Sequence, residues 1–453
     1  MIYLQNVKNY KSLANVKKNI SLHKQSLHTF RDSIQIPKKV FVIVLINLHI
    51  VKYLYKYLLF FVLLNSCHTK GQNENFGNSM DVKEVVPEGF CPFICQDNGM
   101  YITGLLNDTI DICLLFDTGA DALLLDSSFA CSNHLTINPK IKVNMIDAKV
   151  PVQICSDKTS LNLCSKHYDF EIIPIFNQRR IFGDRIDGTI GWMPFREKKI
   201  HINFNNKYYA ITDVISDSIK NVWHSIDLIQ YKYRFYVPAN INFYDGNQIN
   251  GFLMVDFGES GAFSATSTAF RNIKVSNDKR LSFVIRNSDV KGTSRVDIIK
   301  CSSIRLGEIV FVNPYISVPD IGRKESDEIN IIGKIGYEAL SALGEIILDF
   351  KEKKLFYPQK QSNNITFKNF ITTGIMFVKD SKSENNIITA VGTQLTEQIE
   401  IGDIVLEIDG HNPNEKQFDI QDYVMSHKGK DITYKIQKKN GNIQYIKLSI
   451  QKL

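Results

Sequence analysis

The sequence lacks the motifs of several large enzyme classes. None of its ten histidines lies in a His-Glu-x-x-His pattern, and no cysteine spacing is typical of a zinc site. A Gly-Lys-Ser/Thr loop ending and a His-Arg-Asp loop are also missing. These absences argue against zinc peptidases, P-loop nucleotide hydrolases and protein kinases. With 25 glycines and 12 prolines in 453 residues, collagen-like and proline-rich disordered classes are excluded as well.

Acidic residues are almost missing from the first 66 positions. This segment holds ten Lys or Arg residues and one acid, Asp32, which leaves 44 basic and 46 acidic residues for the remainder. The formal net charge of +7 therefore arises at the front of the chain. A basic excess confined there argues against a nucleic-acid surface on the folded part and favours a targeting segment.

Residues 1–66 have the composition of an export leader. The apolar stretch Tyr57–Leu64 is followed closely by a small residue and Cys67. This order resembles a bacterial lipoprotein signal, which implies cleavage before Cys67 and lipidation of its thiol. An uncleaved membrane anchor over residues 40–64 is an alternative, although two lysines interrupt it, and a cytosolic protein is a third. The first two alternatives predict an exported, membrane-attached protein of the cell envelope, at its periplasmic or outer surface.

Seven cysteines lie beyond Cys67. In an oxidising compartment some of them can form disulfides. The locally plausible pairs are Cys91 with Cys95 and Cys155 with Cys164. Since seven is an odd number, at least one thiol stays free.

Residues 100–357 consist of short β-rich segments with turn signals between them, which predicts an all-β fold. Four features occur twice there in the same order: a hairpin, an aspartate loop, an apolar-Gly-aromatic segment and a strand ending in a charged turn. The paired positions are Asp117 and Asp256, Gly191 and Gly336, and Phe204 and Phe350. Aspartate and glycine are 74 and 80 residues apart, and glycine and phenylalanine 13 and 14. These matching spacings predict a duplication.

Each aspartate loop directly follows an apolar strand. The loop residues are Asp117, Thr118, Gly119 and Ala120 in the first copy and Asp256, Phe257 and Gly258 in the second. Together with the distant Ile-Gly-aromatic segments, they resemble the retropepsin-like aspartic peptidases. Two fused copies, over about residues 95–358, resemble the bilobal bacterial aspartyl peptidases, which are similar in plan to pepsin. The resemblance implies two β-barrel lobes related by a pseudo-twofold axis.

The same resemblance implies that Asp117 and Asp256 form a catalytic dyad in an active site that one chain completes, with no metal or cofactor. Two carboxylates held about 3 Å apart cannot both ionise, so they share one proton. The ionised member takes a proton from water while the other protonates the scissile carbonyl oxygen. The expected substrate is a peptide or protein.

Phe257 departs from the family pattern. The family has Thr or Ser after each aspartate, and the two hydroxyls cross-bond the loops. Thr118 can make its half of this lock, but phenylalanine has no hydroxyl. Either the second loop is held in another way, for instance through Glu259 or Ser260, or the dyad is misaligned and the chain is an inactive peptide-binding protein. Proteolysis limited to self-processing is a third possibility.

Flaps that close over the substrate are expected between the aspartate and the Ile-Gly segment of each copy. The corresponding ranges are roughly 143–168 and 281–303. Tyr168 is the candidate contact residue in the first flap.

The last 85 or so residues resemble a PDZ domain. The segment Gly402–Gly410 is the most specific part, followed by a helix-like stretch and a closing hairpin. Such a domain adds a peptide strand to a sheet edge and captures a C-terminal carboxylate on backbone N–H groups. The resemblance assigns Gly374, Ile375, Met376 and Phe377 to that loop. The alternative is that the last three are only core residues.

At roughly 100–200 residues per domain, the length corresponds to several domains. The predicted organisation is a leader (1–66), a polar tether (67–89), a first peptidase lobe (90–215), a connection with a second lobe (216–358), a linker (359–367) and a PDZ β-sandwich/α domain (368–453).

Overall fold

The structure is a computed structural model, and it describes most of the chain beyond residue 85. The described residues are 86–145, 148–179, 186–270, 273, 275–286, 293–320, 329–359, 362–379, 383–415, 418, 420–427 and 429–453. The predicted leader, Cys67 and most of the predicted tether lie outside them. The described part is predominantly β, which confirms the predicted all-β class at this level. None of its helices has the length and apolar content needed to cross a membrane.

The first half, defined here as residues 86–215, consists mainly of strands. They are β1 (Cys91–Pro92), β2 (Ile94–Gln96), β3 (Gly99–Leu106), β4 (Ile110–Phe116), β5 (Leu123–Asp126), β6 (Ile137–Met145), β7 (Ala148–Cys155), β8 (Thr159–Leu163), β9 (Lys166–Phe170), β10 (Ile173–Phe176), β11 (Gly188–Ile190), β12 (Lys199–Asn203) and β13 (Tyr208–Thr212).

The second half, residues 216–367, contains a similar series. Its strands are β14 (His224–Asp227), β15 (Ile229–Tyr231), β16 (Arg234–Asn242), β17 (Gln248–Val255), β18 (Phe263–Ala265), β19 (Arg280–Arg286), β20 (Thr293–Lys300), β21 (Ser303–Leu306), β22 (Ile309–Val312), β23 (Tyr315–Pro319), β24 (Ile331–Ile335), β25 (Glu345–Asp349), β26 (Lys354–Tyr357) and β27 (Asn364–Thr366). The last of these lies in the segment predicted as a linker and pairs with β22.

The C-terminal module, residues 368–453, has seven strands among its described residues. They are β28 (Ile371–Thr372), β29 (Ile375–Lys379), β30 (Asn386–Gly392), β31 (Ile404–Ile408), β32 (Asp431–Gln437), β33 (Ile443–Ser449) and β34 (Gln451–Lys452). The α-helices of the described chain are α1 (Ser127–Ser132), α2 (Asp217–Lys220), α3 (Ser267–Phe270), α4 (Tyr337–Ser341) and α5 (Ile420–Ser426). Single 3-10 turns occur at Met193–Phe195, Asn277–Lys279 and Thr393–Leu395.

The two halves have the same strand order. Across the first sheet the order is β6-β7-β10-β5-β11-β4-β3-β8-β9, and across the second it is β19-β20-β23-β18-β24-β17-β16-β21-β22. Each strand of the second series thus corresponds to the strand of the first series whose number is lower by thirteen. The side strands follow the same rule, because β2 pairs with β3 as β15 pairs with β16. The repeat in the sequence is therefore also a repeat of topology.

A six-stranded sheet, in the order β1-β13-β12-β25-β26-β14, takes three strands from each half. Its two central strands, β12 and β25, are antiparallel, and His201 pairs with Ile347. These residues lie three positions before Phe204 and Phe350, so they are equivalent in the two copies. Antiparallel strands that pair at equivalent residues are related by a local twofold rotation. The sheet therefore turns the two halves toward each other.

A continuous cluster of buried apolar side chains runs through both halves. Trp192, from the first half, packs on Phe235 and Phe350 of the second at ring-centroid distances of 4.8 and 5.8 Å. Its indole Nε1–H donates to the carbonyl of Tyr233 at 3.1 Å. The interface between the halves is thus part of the core, as in an obligate interface.

The C-terminal module has a separate apolar cluster, which contains Ile388, Ile408 and Tyr434. It also joins the second half through main-chain pairing, because β30 lies antiparallel to β19. Nearby, the Tyr315 hydroxyl donates to the carbonyl of Lys368 at 2.7 Å. The module therefore docks on the hairpin β19–β20.

The disulfide differs from the predicted pairs. Cys91 is joined to Cys164, with Cα atoms 5.6 Å apart, and Cys95 and Cys155 are free. The prediction from proximity in sequence was wrong, because Cys91 and Cys95 lie in β1 and β2, which belong to different sheets. Cys155, at the end of β7, is fully buried. Cys164 lies in the turn between β8 and β9.

Replacing Cys91 or Cys164 by Ala will lower the free energy of unfolding of the oxidised protein by about 2–5 kcal/mol, because the bond closes a long loop. Denaturant unfolding at equilibrium, with and without reductant, measures this. The control is Cys131→Ala, since Cys131 is exposed and unpaired in the described chain. A loss that persists under full reduction would contradict a role for the bond.

Candidate active site

The two aspartates occupy equivalent places at the ends of β4 and β17. The parallel neighbours are β11 and β24, which are largely buried, as expected of central strands. The backbone N–H of Asp117 donates to the carbonyl of Ile190, and that of Asp256 to the carbonyl of Ile335, both at 3.0 Å. The same main-chain bond thus orients both loops.

The two loops meet tip to tip. The Oδ1 atom of Asp117 accepts from the N–H of Gly119 at 2.7 Å, and that of Asp256 from the N–H of Gly258 at 3.1 Å. A Cβ added at Gly119 would overlap the carboxylate of Asp256, and one at Gly258 would overlap that of Asp117. Both glycines are therefore required for the close approach of the loops.

The carboxyl groups of Asp117 and Asp256 are hydrogen-bonded to each other. Burial raises the pKa of Asp117 to about 7, with the charge and the hydrogen bond of Asp256 adding to the effect. The positive charges of Arg234 and Lys334 partly oppose this rise. The pair of aspartates consequently keeps one proton up to about neutral pH.

A single side-chain hydroxyl cross-bonds the two loops. The Oγ1 hydroxyl of Thr118 donates to the carbonyl of Val255 at 2.8 Å and accepts from the N–H of Phe257 at 3.1 Å. Thr118 is buried, so these bonds are shielded from water. A single hydroxyl of the first loop therefore bonds the second loop on both sides of Asp256.

Packing replaces the missing hydroxyl of the second loop. The fully buried Phe257 ring lies 5.1 Å from the ring of Phe116, 6.2 Å from that of Phe204 and 6.3 Å from that of Tyr337. The loop is further anchored by its main chain, because the carbonyl of Glu259 accepts from the N–H of Tyr337 at 2.7 Å. Phe257 thus has an apolar site of its own size beneath the dyad.

Sequence reasoning missed Lys334 beside Asp256, and it named Glu259 only as a possible support of the second loop. The Nζ atom of Lys334 lies 2.8 Å from Oδ2 of Asp256 and 3.9 Å from Oε2 of Glu259. Burial raises the pKa of Glu259 to about 7. A lysine inside an otherwise apolar Ile-Ile-Gly-Lys-Ile-Gly segment was the available signal, since charged residues inside buried strands are nearly always paired.

A buried ion pair flanks the other aspartate. Arg234, almost fully buried, pairs with Asp121 close to the first loop. Arg234 opens β16 of the second half, so this pair also links the halves. Its charge is one of the two that lower the pKa of Asp117.

The hairpins β6–β7 and β19–β20 occupy the predicted flap ranges, but residues 146–147 and 287–292 lie outside the described residues. Tyr168 does not belong to the first hairpin. It lies in β9, and its ring packs 5.5 Å from that of Phe195. The candidate contact residue therefore lies in the hairpin β8–β9, which the predicted range partly included.

The predicted carboxylate-binding loop precedes and begins β29. Gly374 has φ of +89°, a conformation that favours glycine. Ile375 and Met376 are buried and Phe377 is half-buried; Ile375 belongs to the apolar cluster of the module. Among the described residues, β30 is the one strand that pairs with β29, so the opposite edge of β29 carries no strand.

Other features add no further chemistry to the site. Within the described ranges, no group of three or more His, Cys, Asp and Glu side chains is arranged to hold a metal ion. Ala120, the last residue of the first loop, is buried, and its carbonyl accepts from the N–H of Trp192 at 3.3 Å.

No protein-family model matches the chain, and no curated protein sequence matches it. The function of the site is therefore inferred from its geometry.

Replacing Thr118 by Val will lower the free energy of unfolding by about 1–3 kcal/mol, because it leaves the N–H of Phe257 and the carbonyl of Val255 buried without a partner. Thr118→Ser retains the hydroxyl and will lose less. Thermal and denaturant unfolding of both variants measure the difference. Equal losses would contradict a role for the cross-loop bonds.

Proposed function

We propose that the chain is an aspartic endopeptidase whose dyad is Asp117 and Asp256. The observation that carries this proposal is the meeting of two equivalent aspartate loops with their carboxyl groups hydrogen-bonded to each other. Two carboxyl groups that share a proton are what acid–base hydrolysis by activated water requires. The identical strand order of the halves supports two retropepsin-like β-barrel lobes related by a pseudo-twofold axis.

The proposed reaction needs no group other than the dyad and a water molecule. The ionised carboxylate takes a proton from water, whose oxygen bonds to the scissile carbonyl carbon, while the protonated carboxyl gives its proton to the carbonyl oxygen. The tetrahedral diol then collapses and the C–N bond breaks. The carboxyl that took a proton from water gives it to the amine nitrogen, and one diol hydroxyl returns a proton to the carboxyl that had protonated the carbonyl oxygen. The dyad regains its single proton, and two peptide products leave.

The C-terminal module is proposed to be a PDZ domain that assists recognition of peptide or protein substrates. The unpaired edge of β29 and the glycine turn at Gly374 are the features that strand addition and carboxylate capture use. The burial of Ile375 supports a core role for that side chain, and backbone binding does not require it to be exposed.

Export to the cell envelope is proposed as well. The disulfide Cys91–Cys164 supports an oxidising compartment. It is consistent with membrane attachment through the leader or through lipidated Cys67. Both carboxylates come from one chain, so the active site is proposed to be monomeric.

The alternative is a catalytically inactive peptide-binding protein of the same fold. The observation that favours it is the ion pair of Lys334 with Asp256, which adds a cation to the dyad. The single cross-loop hydroxyl points in the same direction, because Phe257 cannot contribute its half.

Hydrolysis of a mixed peptide library tests the proposal. We expect Asp117→Asn and Asp256→Asn each to lower kcat/KM by at least about 10²–10⁴-fold, since each removes a general acid or base. The measurement is product formation by mass spectrometry over several pH values.

The matched control is Asp108→Asn, in the turn between β3 and β4 that leads to Asp117. Asp108 has φ of +62°, which asparagine adopts readily, so this variant will keep wild-type activity. Hydrolysis that survives both dyad substitutions would eliminate the mechanism. A folded wild-type protein that cleaves no peptide but binds peptides would favour the inactive alternative.

Peptides with a free C-terminal carboxylate will bind the full-length Asp117→Asn protein more tightly than their C-terminal amides. The reason is that an amide removes the charge that the N–H groups at Gly374–Phe377 would receive. Calorimetric titration of matched acid and amide peptides measures the difference. Equal affinities would contradict carboxylate capture by the module.

A further inference from the structure

The two loops of the dyad have the same geometry but different neighbours. At the position one residue before the isoleucine that binds each aspartate N–H, the first half has Thr189 and the second has Lys334. The Thr189 hydroxyl donates to Oε1 of Gln178 at 2.6 Å and carries no charge. Three residues after each aspartate, Ala120 corresponds to Glu259. Both ionisable substitutions therefore lie on the Asp256 side.

Lys334 is held beside Asp256 by the fold. It lies in the middle of β24, where it is opposite Met254 of β17 on one side and Ser264 of β18 on the other. Its side chain is only 18% exposed. Desolvation alone would lower the pKa of Lys334, but the charges of Asp256 and Glu259 raise it overall. Lys334 is thus a permanent cation next to one aspartate.

Glu259 lies farther from the Lys334 cation than Asp256 does. Its Oε2 atom is 3.9 Å from Lys334, against 2.8 Å for Asp256, and it accepts from the Ser264 hydroxyl at 3.2 Å. Because burial raises the pKa of Glu259 to about 7, its carboxyl is neutral below that pH. The distances therefore make Asp256 the closer partner of Lys334.

The two oxygens of Asp256 are both engaged with groups that favour negative charge. Oδ1 accepts from the N–H of Gly258, and Oδ2 faces Lys334. The Oδ1 atom of Asp117 accepts from the N–H of Gly119, and the cation that acts on Asp117 besides Lys334 is Arg234, which is paired with Asp121. The two carboxyl groups therefore have equivalent backbone contacts but different charged neighbours.

Resting on the proposed peptidase function, we propose that Lys334 is a positioning residue that keeps Asp256 ionised and thereby assigns the shared proton to Asp117. Asp256 is then the base that takes the proton from water, and Asp117 is the acid that protonates the carbonyl oxygen. The cation also extends the singly protonated state of the dyad toward lower pH.

The pH dependence follows from the sign of each effect. Asp117 keeps its proton up to about pH 7, so activity falls as the pH rises through that value. On the acid side, activity falls when Asp256 gains a proton, and a cation within 4 Å displaces that event to lower pH. The enzyme consequently works in a broad window that ends near neutrality.

The test compares kcat/KM against pH for wild type, Lys334→Met and Lys334→Arg, with a peptide that the wild type cleaves. We expect the acid limb of the profile, where kcat/KM falls as the pH is lowered, to lie about 1–3 pH units higher in Lys334→Met, because the cation is gone. Lys334→Arg retains the charge and will restore the limb to near its wild-type position. An acid limb that stays in place in a folded Lys334→Met protein would overturn the proposal, since a purely structural role lowers activity without moving the limb.

A second measurement does not depend on catalysis or on a folded Lys334 variant. Aspartate carboxyl carbons labelled with ¹³C are titrated by NMR in wild type, and the two dyad signals are assigned with Asp117→Asn and Asp256→Asn. We expect the Asp117 signal to titrate near neutral pH while Asp256 stays ionised to clearly lower pH. The reverse order would overturn the proposal. If the wild type cleaves no peptide, the proposed function fails, and this titration still decides which of the two aspartates holds the proton.

Discussion

The antiparallel pairing of β12 with β25 is the constraint on which the site depends. The two strands are equivalent members of the repeat, and the pairing of His201 with Ile347 places equivalent residues opposite each other. Because strand pairing fixes both direction and register, it determines how one half is rotated against the other. Two loops that each carry one aspartate thereby face each other, and glycine at the third position of each loop allows their carboxyl groups to touch.

Within that symmetric frame the chemistry is asymmetric. The bonds between the loops come from Thr118, whereas the second loop is supported by the aromatic packing of Phe257. Ionisable groups are likewise added on one side, as Lys334 and Glu259. A duplicated fold supplies two equal carboxyl positions, and substitutions in one copy can make them unequal while the backbone stays the same. In a buried site, such differences decide which group holds a proton.

The sequence was sufficient where the signal was local. The Asp-x-Gly loops and the repeated spacings located Asp117 and Asp256, since tight turns and strand lengths depend on neighbouring residues. Contacts between distant strands were out of reach: Cys91 bonds to a residue 73 positions away, and Lys334 reaches Asp256 because β24 runs parallel to β17. The absence of a hydroxyl at Phe257 was visible in the sequence. The sequence did not show that the single hydroxyl of Thr118 both donates and accepts across the interface.

The pairing of β30 with β19 also has a consequence for the outer boundary of the molecule. An uncovered edge strand offers unpaired N–H and C=O groups to any extended chain, and it can seed aggregation. In the second half this edge is covered by a strand of the C-terminal module, from Ala390 to Gly392. The module therefore covers one sheet edge, while the outer edge of its own strand β29 stays open in the described chain.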